Sequence, residues 1–270
     1  MGRKKDIKKN GGESEPHKTN KSKKPFKIAV VDIGSNSVRL VSLKIKKKKS
    51  KKIDNIKHIC ELGKLDADNN IPEKSQKKAF AAFREFSKYV QDEKIDHVLP
   101  VATAAARDAG NGHKFIAQAE EVLGRKIQIL SAEDEAKFAA LGVIASRMEN
   151  DEQDDINGII ADLGGGSLEL ARVHNNEFID GISTKLGTLV LKKQDDPVSH
   201  IRQTFEQIDG EYAAAKHLYV IGGSWRAVRK TLEHADTPLP KTGKSNLKTV
   251  PSTSVSQHLD HILSLYDKAP

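Results

Sequence analysis

Two short segments of this chain repeat one pattern of residues that can hold a phosphate group. Residues 30–37 read VVDIGSNS, and residues 160–167 read IADLGGGS. Each is an apolar run, then aspartate, one apolar residue, glycine and a small turn that ends in serine. Apolar β-branched runs bounded by turn residues predict buried strands, and glycine lets backbone N–H groups approach a ligand closely. We therefore expect two anion-binding turns, one in each of two related halves.

The setting of these turns excludes two common nucleotide folds. Each turn is followed by a second predicted strand, whereas the phosphate turns of P-loop and Rossmann proteins open a helix. The P-loop pattern Gly-x-x-x-x-Gly-Lys-Ser/Thr is also absent from the sequence. The turns therefore belong to hairpins.

The elements around the turns follow from hydrophobic periodicity. Apolar residues at helical spacing, such as Phe80, Phe83 and Phe86, predict helices, and Ser131 is a predicted N-cap. Strands are predicted at residues 27–33, 37–45, 51–61, 95–102, 126–130, 156–163, 167–173, 177–186 and 217–221. Helices are predicted at residues 73–91, 111–123, 132–147, 200–215, 226–234 and 255–266, with a loop at 235–252.

The order of these elements predicts a duplicated α/β architecture. The series β-β-β-α-β-α is followed by a similar series, which favours mixed sheets and a cleft between two halves. We expect a disordered basic tail over residues 1–25, a first α/β domain over 26–145 and a second over 146–270.

Composition limits the class of protein. The 270 residues include 37% hydrophobic and 30% charged side chains, and no stretch approaches the roughly 20 apolar residues of a membrane span. The N-terminus has no apolar core, so a secretory signal is not expected. The single cysteine, Cys60, excludes an internal disulfide framework and favours the cytoplasm.

The net charge of +8 is concentrated in two segments. Residues 1–24 hold nine Lys and Arg residues against three acids, and residues 42–58 hold eight lysines against Asp54 alone. One interpretation is a solvated tail and a solvated hairpin tip. The other is a collar that attracts a polyanion such as polyphosphate. Nucleic acid is the less favoured polyanion, because no aromatic residue for base stacking lies among these lysines.

Five blocks, in order, resemble the exopolyphosphatase / guanosine pentaphosphate phosphatase (Ppx/GppA) family. They are the first turn within DIGSNSVRL (32–40), ATAAARDA (102–109) with Asn111-Gly112, Glu135-Ala136, the second turn within DLGGGSLEL (162–170) and the weaker GGSWRA (222–227). The resemblance covers about residues 26–265. It implies the actin/sugar-kinase/Hsp70 ATPase-like (ribonuclease H-like) fold. It also implies cleavage of the terminal phosphoanhydride of polyphosphate or guanosine pentaphosphate by water with Mg²⁺.

The resemblance assigns roles to residues of this chain. Glu135 is the expected general base, with Glu133, Asp134 and Asp162 as possible neighbours that raise its pKa. Arg107 is expected to bind phosphate during catalysis, although an ion pair with Asp108 is the alternative. The expected substrate-binding residues are Gly34, Ser35, Asn36, Ser37, Thr103, Gly164, Gly165, Gly166 and Ser167. The expected Mg²⁺ ligands are Asp32 and Asp162, through water, with Glu169 as a further candidate; Ser224 and Arg226 are expected at the far wall of the cleft.

Alternatives remain open at this stage. The chain ends earlier than family members usually do, so the second domain is expected to be trimmed or completed by a partner subunit, as in a homodimer. A non-catalytic polyphosphate or guanosine-polyphosphate binding module is one alternative function, and an ATPase or kinase of the same superfold is another. The lysine excess leans toward polyphosphate as the substrate.

Overall fold

The computed structural model describes residues 24–47, 49–149, 154–208 and 210–233, which form two mixed β-sheets with packed helices. The first half is built from β1 (Phe26–Ile33), β2 (Ser37–Lys46), β3 (Lys49–Ile59), α1 (Glu73–Asp92), β4 (His97–Ala102), α2 (Ala104–Asp108), α3 (Gly112–Leu123) and β5 (Gln128–Ile129). The second half is built from α4 (Ala132–Glu149), β6 (Gly158–Leu163), β7 (Leu168–His174), β8 (Glu177–Thr184), α5 (Thr188–Leu191), α6 (Pro197–Glu206), α7 (Gly210–Ala213), β9 (Leu218–Ile221) and α8 (Gly223–Glu233).

The two sheets repeat one topology. The first has the strand order β3-β2-β1-β4-β5, and the second has the order β8-β7-β6-β9. In each, the hairpin strands are antiparallel, and the central strand also pairs in parallel with a strand from later in its half, β4 or β9. The predicted duplicated α/β architecture with mixed sheets is confirmed.

The first sheet builds its core on one face. Ala29, Val31 and Ile33 of β1 alternate onto that face and are fully buried, as period-2 alternation requires. They pack in one apolar cluster with α1 and α3, whose Phe83 and Phe115 are also buried. The opposite face, on which Asp32 lies, is less covered: its Leu99 is 53% exposed.

The second sheet is covered on both faces. Helix α4 covers one face, where Ala136 and Ala140 pack in one cluster with Ile160. The residues of β6 that point the other way, such as Ile159, pack in a second cluster with residues of α5 and α6, such as Leu191. The division of the chain at residue 145 stays a prediction; α4, which that division gives to the first half, packs on the second sheet.

The structure corrects one predicted helix and adds short ones. A single helix over residues 200–215 is wrong, because α6 ends at Glu206 and a separate turn of helix begins at Gly210. Helix α6 begins at Pro197, whose fixed φ suits a first helical position, and Asp196 caps it by accepting from the Ser199 N–H at 3.0 Å. Helices α2 and α5 are too short for a periodic pattern and were not predicted.

Some predictions fall outside the described part of the chain. They are the disordered tail, except for its last two residues, the loop at 235–252 and the helix at 255–266. Across the described ranges, no helix has the length and apolar character that crossing a membrane requires.

Candidate active site

The two glycine turns close in the same way at equivalent points of the two sheets. The Gly34 N–H donates to the Ser37 carbonyl at 3.1 Å, and the Gly164 N–H donates to the Ser167 carbonyl at 2.9 Å. Each turn links the central strand of its sheet to the neighbouring antiparallel strand. The repeated sequence pattern therefore produces a repeated backbone geometry.

The carbonyl groups of the first turn are bonded from behind by the segment that follows β3. Gly63 donates its N–H to the Ser35 carbonyl at 2.7 Å, and Cys60 and Glu61 both donate to the Asn36 carbonyl, at 3.1 and 2.9 Å. These bonds fix the orientation of the peptide units that contain the Ser35 and Asn36 carbonyls.

The second turn is held in the same manner by the start of α5. Thr188 donates its N–H to the Gly164 carbonyl at 3.1 Å, and Leu189 donates to the Gly165 carbonyl at 2.8 Å. Within the described residues, the N–H groups of Ser35, Asn36, Gly165 and Gly166 donate no hydrogen bond. Unpaired backbone donors in consecutive turn positions are the arrangement that binds an anion.

The two turns lie against each other. A methyl group built on Gly166 would lie 2.6 Å from Ser35 Oγ, and one built on Gly165 would lie 3.2 Å from the Asn36 β-carbon. Ser35 and Ser167 are both buried, at 6% and 7% exposure. The structure thus brings the predicted phosphate-binding residues of both halves to one place, where an added β-carbon on Gly165 or Gly166 would crowd the opposite turn.

Thr103 lies directly beneath the first turn. Its N–H donates to the Ile33 carbonyl at 3.2 Å, and its hydroxyl lies 3.5 Å from the same oxygen. The next residue, Ala104, also borders the second turn, because its β-carbon lies 3.4 Å from the β-position of Gly166. The end of β4 therefore supports the junction of the two turns.

Arg107 connects α2 to the start of α4. Its Nη1 donates to the Leu130 carbonyl at 2.9 Å and to Oε1 of Glu135, and its Nε donates to Asp108 Oδ1 at 3.2 Å. The ion pair with Asp108 that was considered from the sequence is therefore present, and phosphate binding by Arg107 stays a prediction. Within the described residues, Nη2 of Arg107 donates no hydrogen bond, so its N–H groups can still donate to a phosphate oxygen.

Glu135 is placed by the cap of α4. The Ser131 hydroxyl accepts from the Asp134 N–H at 3.0 Å and donates to Asp134 Oδ2 at 2.8 Å, so the predicted N-cap is confirmed. Asp134 is used in this cap, and Glu135, one position further, turns toward Arg107. Its side chain is 11% exposed.

The pKa of Glu135 is raised to about 7. Burial is the largest cause, the hydrogen bond from Arg107 opposes it, and the negative charges of Glu169 and Asp32 add to the rise. The expectation that Glu133, Asp134 and Asp162 are the neighbours responsible is wrong. Asp134 is tied to the cap, and the carboxylates that act on Glu135 come from the central hairpins of the two sheets.

Asp32 lies at the end of β1 within a row of charges. It pairs across the sheet with Arg39 of β2, which pairs in turn with Lys57 of β3, and paired residues share a face. The carboxylate is open to solvent but has protein on most sides, and this loss of hydration raises its pKa to about 6. Arg39 and Lys57 lower that pKa, and Asp162 raises it.

Asp162 occupies the equivalent position in the second half, in a different row. It pairs with Glu169 of β7, which pairs with Ser183 of β8. Glu169 is 5% exposed and accepts a hydrogen bond from Ser183 Oγ at 2.9 Å, so it is not a solvated strand residue. Burial raises the pKa of both carboxyls.

The predicted far wall of the cleft adjoins Asp162. The positive charge of Arg226 lowers the pKa of Asp162 against the effect of burial. Gly222 has a φ of +99°, and a β-carbon there would lie 2.4 Å from Asp162 Oδ1. The turn after β9 thus packs on the Asp162 carboxylate.

The metal assignment stays a prediction. No group of three or more His, Cys, Asp or Glu side chains is close enough to hold an ion directly within the described ranges. Asp32 and Asp162 are close enough for the charge of Asp162 to raise the pKa of Asp32, and their carboxylates match the donor type of Mg²⁺, which keeps several waters and takes few carboxylates.

Arg39 and Lys57 were not among the predicted site residues. Arg39 stands two residues after Ser37, so its parity along β2 places it on the Asp32 face, and this signal was available in the sequence. The position of Lys57 depends on the register between β2 and β3. This register shifts at a bulge, between Ser42 and Leu43 of β2. The position of Lys57 could not be counted from the sequence.

Known proteins resemble this chain in sequence and in fold. Residues 41–269 match the Ppx/GppA phosphatase family. The structure of an Aquifex aeolicus PPX-GPPA enzyme is 25% identical, covers 78% of this chain and 73% of its own, and superposes with a TM-score of 0.64. An exopolyphosphatase from Cytophaga hutchinsonii has a TM-score of 0.68 at 19% identity, covering 77% of this chain and 70% of its own, and shares the fold.

Proposed function

Because the chain belongs to the Ppx/GppA phosphatase family and has its duplicated actin-like fold, we propose that it hydrolyses terminal phosphoanhydrides. The substrates are inorganic polyphosphate, guanosine pentaphosphate or both. Water attacks the terminal phosphorus, the P–O–P bond breaks, and inorganic phosphate leaves the shortened chain.

The observation that carries this proposal is the convergence of backbone donors from two halves. The N–H groups of Ser35 and Asn36 and those of Gly165 and Gly166 lie in two turns that contact each other. Donors fixed before the substrate arrives stabilise the charge that spreads over the phosphoryl oxygens in the transition state.

Glu135 supplies the base. Its pKa of about 7 lies close to neutral pH, where this carboxylate is a much stronger base than usual and about half of it is ionised. Arg107 donates to its Oε1 and holds the side chain at the cleft, and the remaining Nη2 of Arg107 is positioned to bind a phosphoryl oxygen. Proton transfer from the attacking water to Glu135 is therefore the step assigned to this residue.

A divalent ion fits the remaining chemistry. Asp32 and Asp162, one from each half, would hold Mg²⁺ through its waters, and the ion would neutralise phosphate charge when bound. Glu169 lies beside Asp162 on the same face and would orient such waters.

The proposal is tested by measuring phosphate release from tripolyphosphate, long-chain polyphosphate, guanosine pentaphosphate and ATP, each with and without Mg²⁺. Release from at least one of the first three by the wild-type chain, lost in Glu135→Gln, is expected. Binding of these ligands without any turnover would instead support a binding module, and preferential ADP formation from ATP would support an ATPase.

A further inference from the structure

Strand β3 carries exposed lysines among its first four residues and again near its end. Lys49, Lys51, Lys52 and Lys57, which we call the β3 lysine track, all lie on this edge strand of the first sheet and are exposed. Between residues 37 and 59 Asp54 is the single acidic residue. The feature is therefore a strip of positive charge rather than a mixed surface.

The track begins at the candidate active site. Lys57 pairs with Arg39, which pairs with Asp32, and Lys57 is close enough for its charge to act on the Asp32 carboxyl. Just past β3, Cys60 donates its N–H to the Asn36 carbonyl, which ties this end of the strand to the first phosphate turn. The other end is the β2–β3 turn at Lys47.

The track has a defined direction and length. At about 3.3 Å per residue, the eight steps from Lys57 to Lys49 span roughly 26 Å. Lys52 pairs with Leu43 and shares the Arg39 face with Lys57, whereas Lys49 and Lys51 pair with Lys46 and Lys44 on the other face. A linear ligand that leaves the site along β3 meets cations on both sides of the strand.

These cations are not neutralised by the protein. Across the described ranges, no lysine of the track lies within ion-pair distance of a carboxylate. Lysines elsewhere do pair, such as Lys27 with Glu93 at 3.1 Å and Lys77 with Glu73 at 2.6 Å. Unpaired, closely spaced cations repel one another, and a bound polyanion would relieve that repulsion.

Lysine on an edge strand also has a plainer use, since it blocks pairing with another sheet. That use does not require continuity with an active site or unpaired cations on both faces of the strand. Nucleic acid is disfavoured as the ligand, because residues 37–59 contain no Phe, Tyr or Trp on which a base could stack.

We propose that the β3 lysine track binds the trailing phosphates of a long inorganic polyphosphate whose terminal phosphate occupies the two turns. This inference rests on the proposed function and specifies its substrate class. It predicts that chain length affects binding through β3, while a substrate of three phosphates reaches only the turns.

The test compares two charge-reversed variants of the full chain. Lys51→Glu with Lys52→Glu alters the outer part of the track, which takes no part in catalysis. Lys88→Glu with Lys114→Glu changes the net charge equally at exposed positions on α1 and α3. Affinity for fluorescently labelled long-chain polyphosphate is measured over a range of salt concentrations, and tripolyphosphate hydrolysis is measured separately.

We expect the track variant to bind long-chain polyphosphate on the order of tenfold more weakly, with a salt slope reduced by about 1.4 for the two lost cations. Tripolyphosphate hydrolysis should be unchanged, and the control variant should behave as wild type. Equal losses of affinity in both variants, or tighter binding of single-stranded RNA than of polyphosphate, would contradict the proposed role of the β3 lysine track. If the wild type released phosphate from none of tripolyphosphate, long-chain polyphosphate and guanosine pentaphosphate, the proposed function would fail, while the binding comparison would still decide the role of the β3 lysine track.

Discussion

The two central hairpins share a backbone and differ in charge. In the first, Asp32 is followed across the sheet by Arg39 and Lys57. In the second, the equivalent Asp162 is followed by Glu169 and then by a serine. The turns above them close with the same hydrogen bond.

This difference indicates a division of labour within a duplicated fold. The cations of the first half favour a bound polyanion, whereas the buried Glu169 of the second half repels the charge on Glu135 and, together with burial and the charge of Asp32, raises its pKa. Backbone donors serve binding on both sides. Substitutions that act on one half should therefore change different kinetic quantities from those that act on the other.

The largest effect is expected at Glu135, on which both halves act. Replacing it by glutamine keeps the shape and the oxygen that accepts from Arg107 but removes the base, so kcat should fall by about 100-fold to 10,000-fold. Phosphate release under saturating substrate measures this. Asp134→Asn, one position earlier in the helix cap, is the control and should retain turnover; equal loss in both variants would argue for a structural effect.

The next effect is expected where the two turns touch. Gly166→Ala places a methyl group 2.6 Å from Ser35 Oγ, so the Ser35 side chain or the turns themselves must shift. Overpacking of this kind costs about 1–3 kcal/mol of stability, and activity should fall with it. Thermal unfolding and phosphate release measure the two effects.

Two further variants sharpen that result. Ser35→Gly in the Gly166→Ala background removes the clashing atoms and should restore part of the activity. Gly142→Ala on α4, where the added methyl group meets no atom within 4 Å, should stabilise the helix by about 0.5–1 kcal/mol without lowering activity. Lack of rescue by Ser35→Gly would contradict the contact between the turns.

A smaller effect is expected at Arg39, in the first half alone. Arg39→Gln removes a cation beside Asp32, so KM should rise by roughly tenfold with little change in kcat. Steady-state phosphate release separates the two constants, and Arg84→Gln on the exposed face of α1 serves as the control. A fall in kcat at unchanged KM would place Arg39 in the chemical step and blur the division between the halves.

The smallest effect is a shift in pH dependence from the second half. Glu135 acts as a base only when ionised, so kcat/KM should rise with pH through about 7. The charge of Glu169 raises the pKa of Glu135, so Glu169→Gln should move this rise toward lower pH. Ser183→Ala leaves the Glu169 charge in place and should leave the profile where it is; a shift toward higher pH in Glu169→Gln would reverse the assigned sign.

Local patterns were enough to predict the turns and most elements around them. The paired Asp-x-Gly segments predicted two equivalent hairpins, which the structure contains as β1–β2 and β6–β7. The predictions that failed concern contacts between residues that lie far apart along the chain. Two of the three neighbours considered for Glu135, Glu133 and Asp134, lie next to it in sequence, but Asp134 is engaged in the helix cap. Folding brings the charges of Asp32 and Glu169 near Glu135 instead.

The break between α6 and α7 was missed for a related reason. Helical spacing continues across residues 200–215, and only the unfavourable entropy of Gly210 in a helix interior signals the interruption. The contribution of Lys57 depended on a bulge, which no propensity predicts. Contacts that depend on strand register and on the packing of distant segments are thus the hardest to predict from the sequence.

The contact between Ser35 and Gly166 links ligand binding to the unfolding of the whole molecule. A phosphate held by both turns binds only when the halves are docked, so it stabilises their association as well as each fold. By mass action, a ligand at 100 times its Kd adds about 2.7 kcal/mol to the free energy of unfolding. With substrate bound to both turns, two halves able to unfold separately would instead unfold as one cooperative unit.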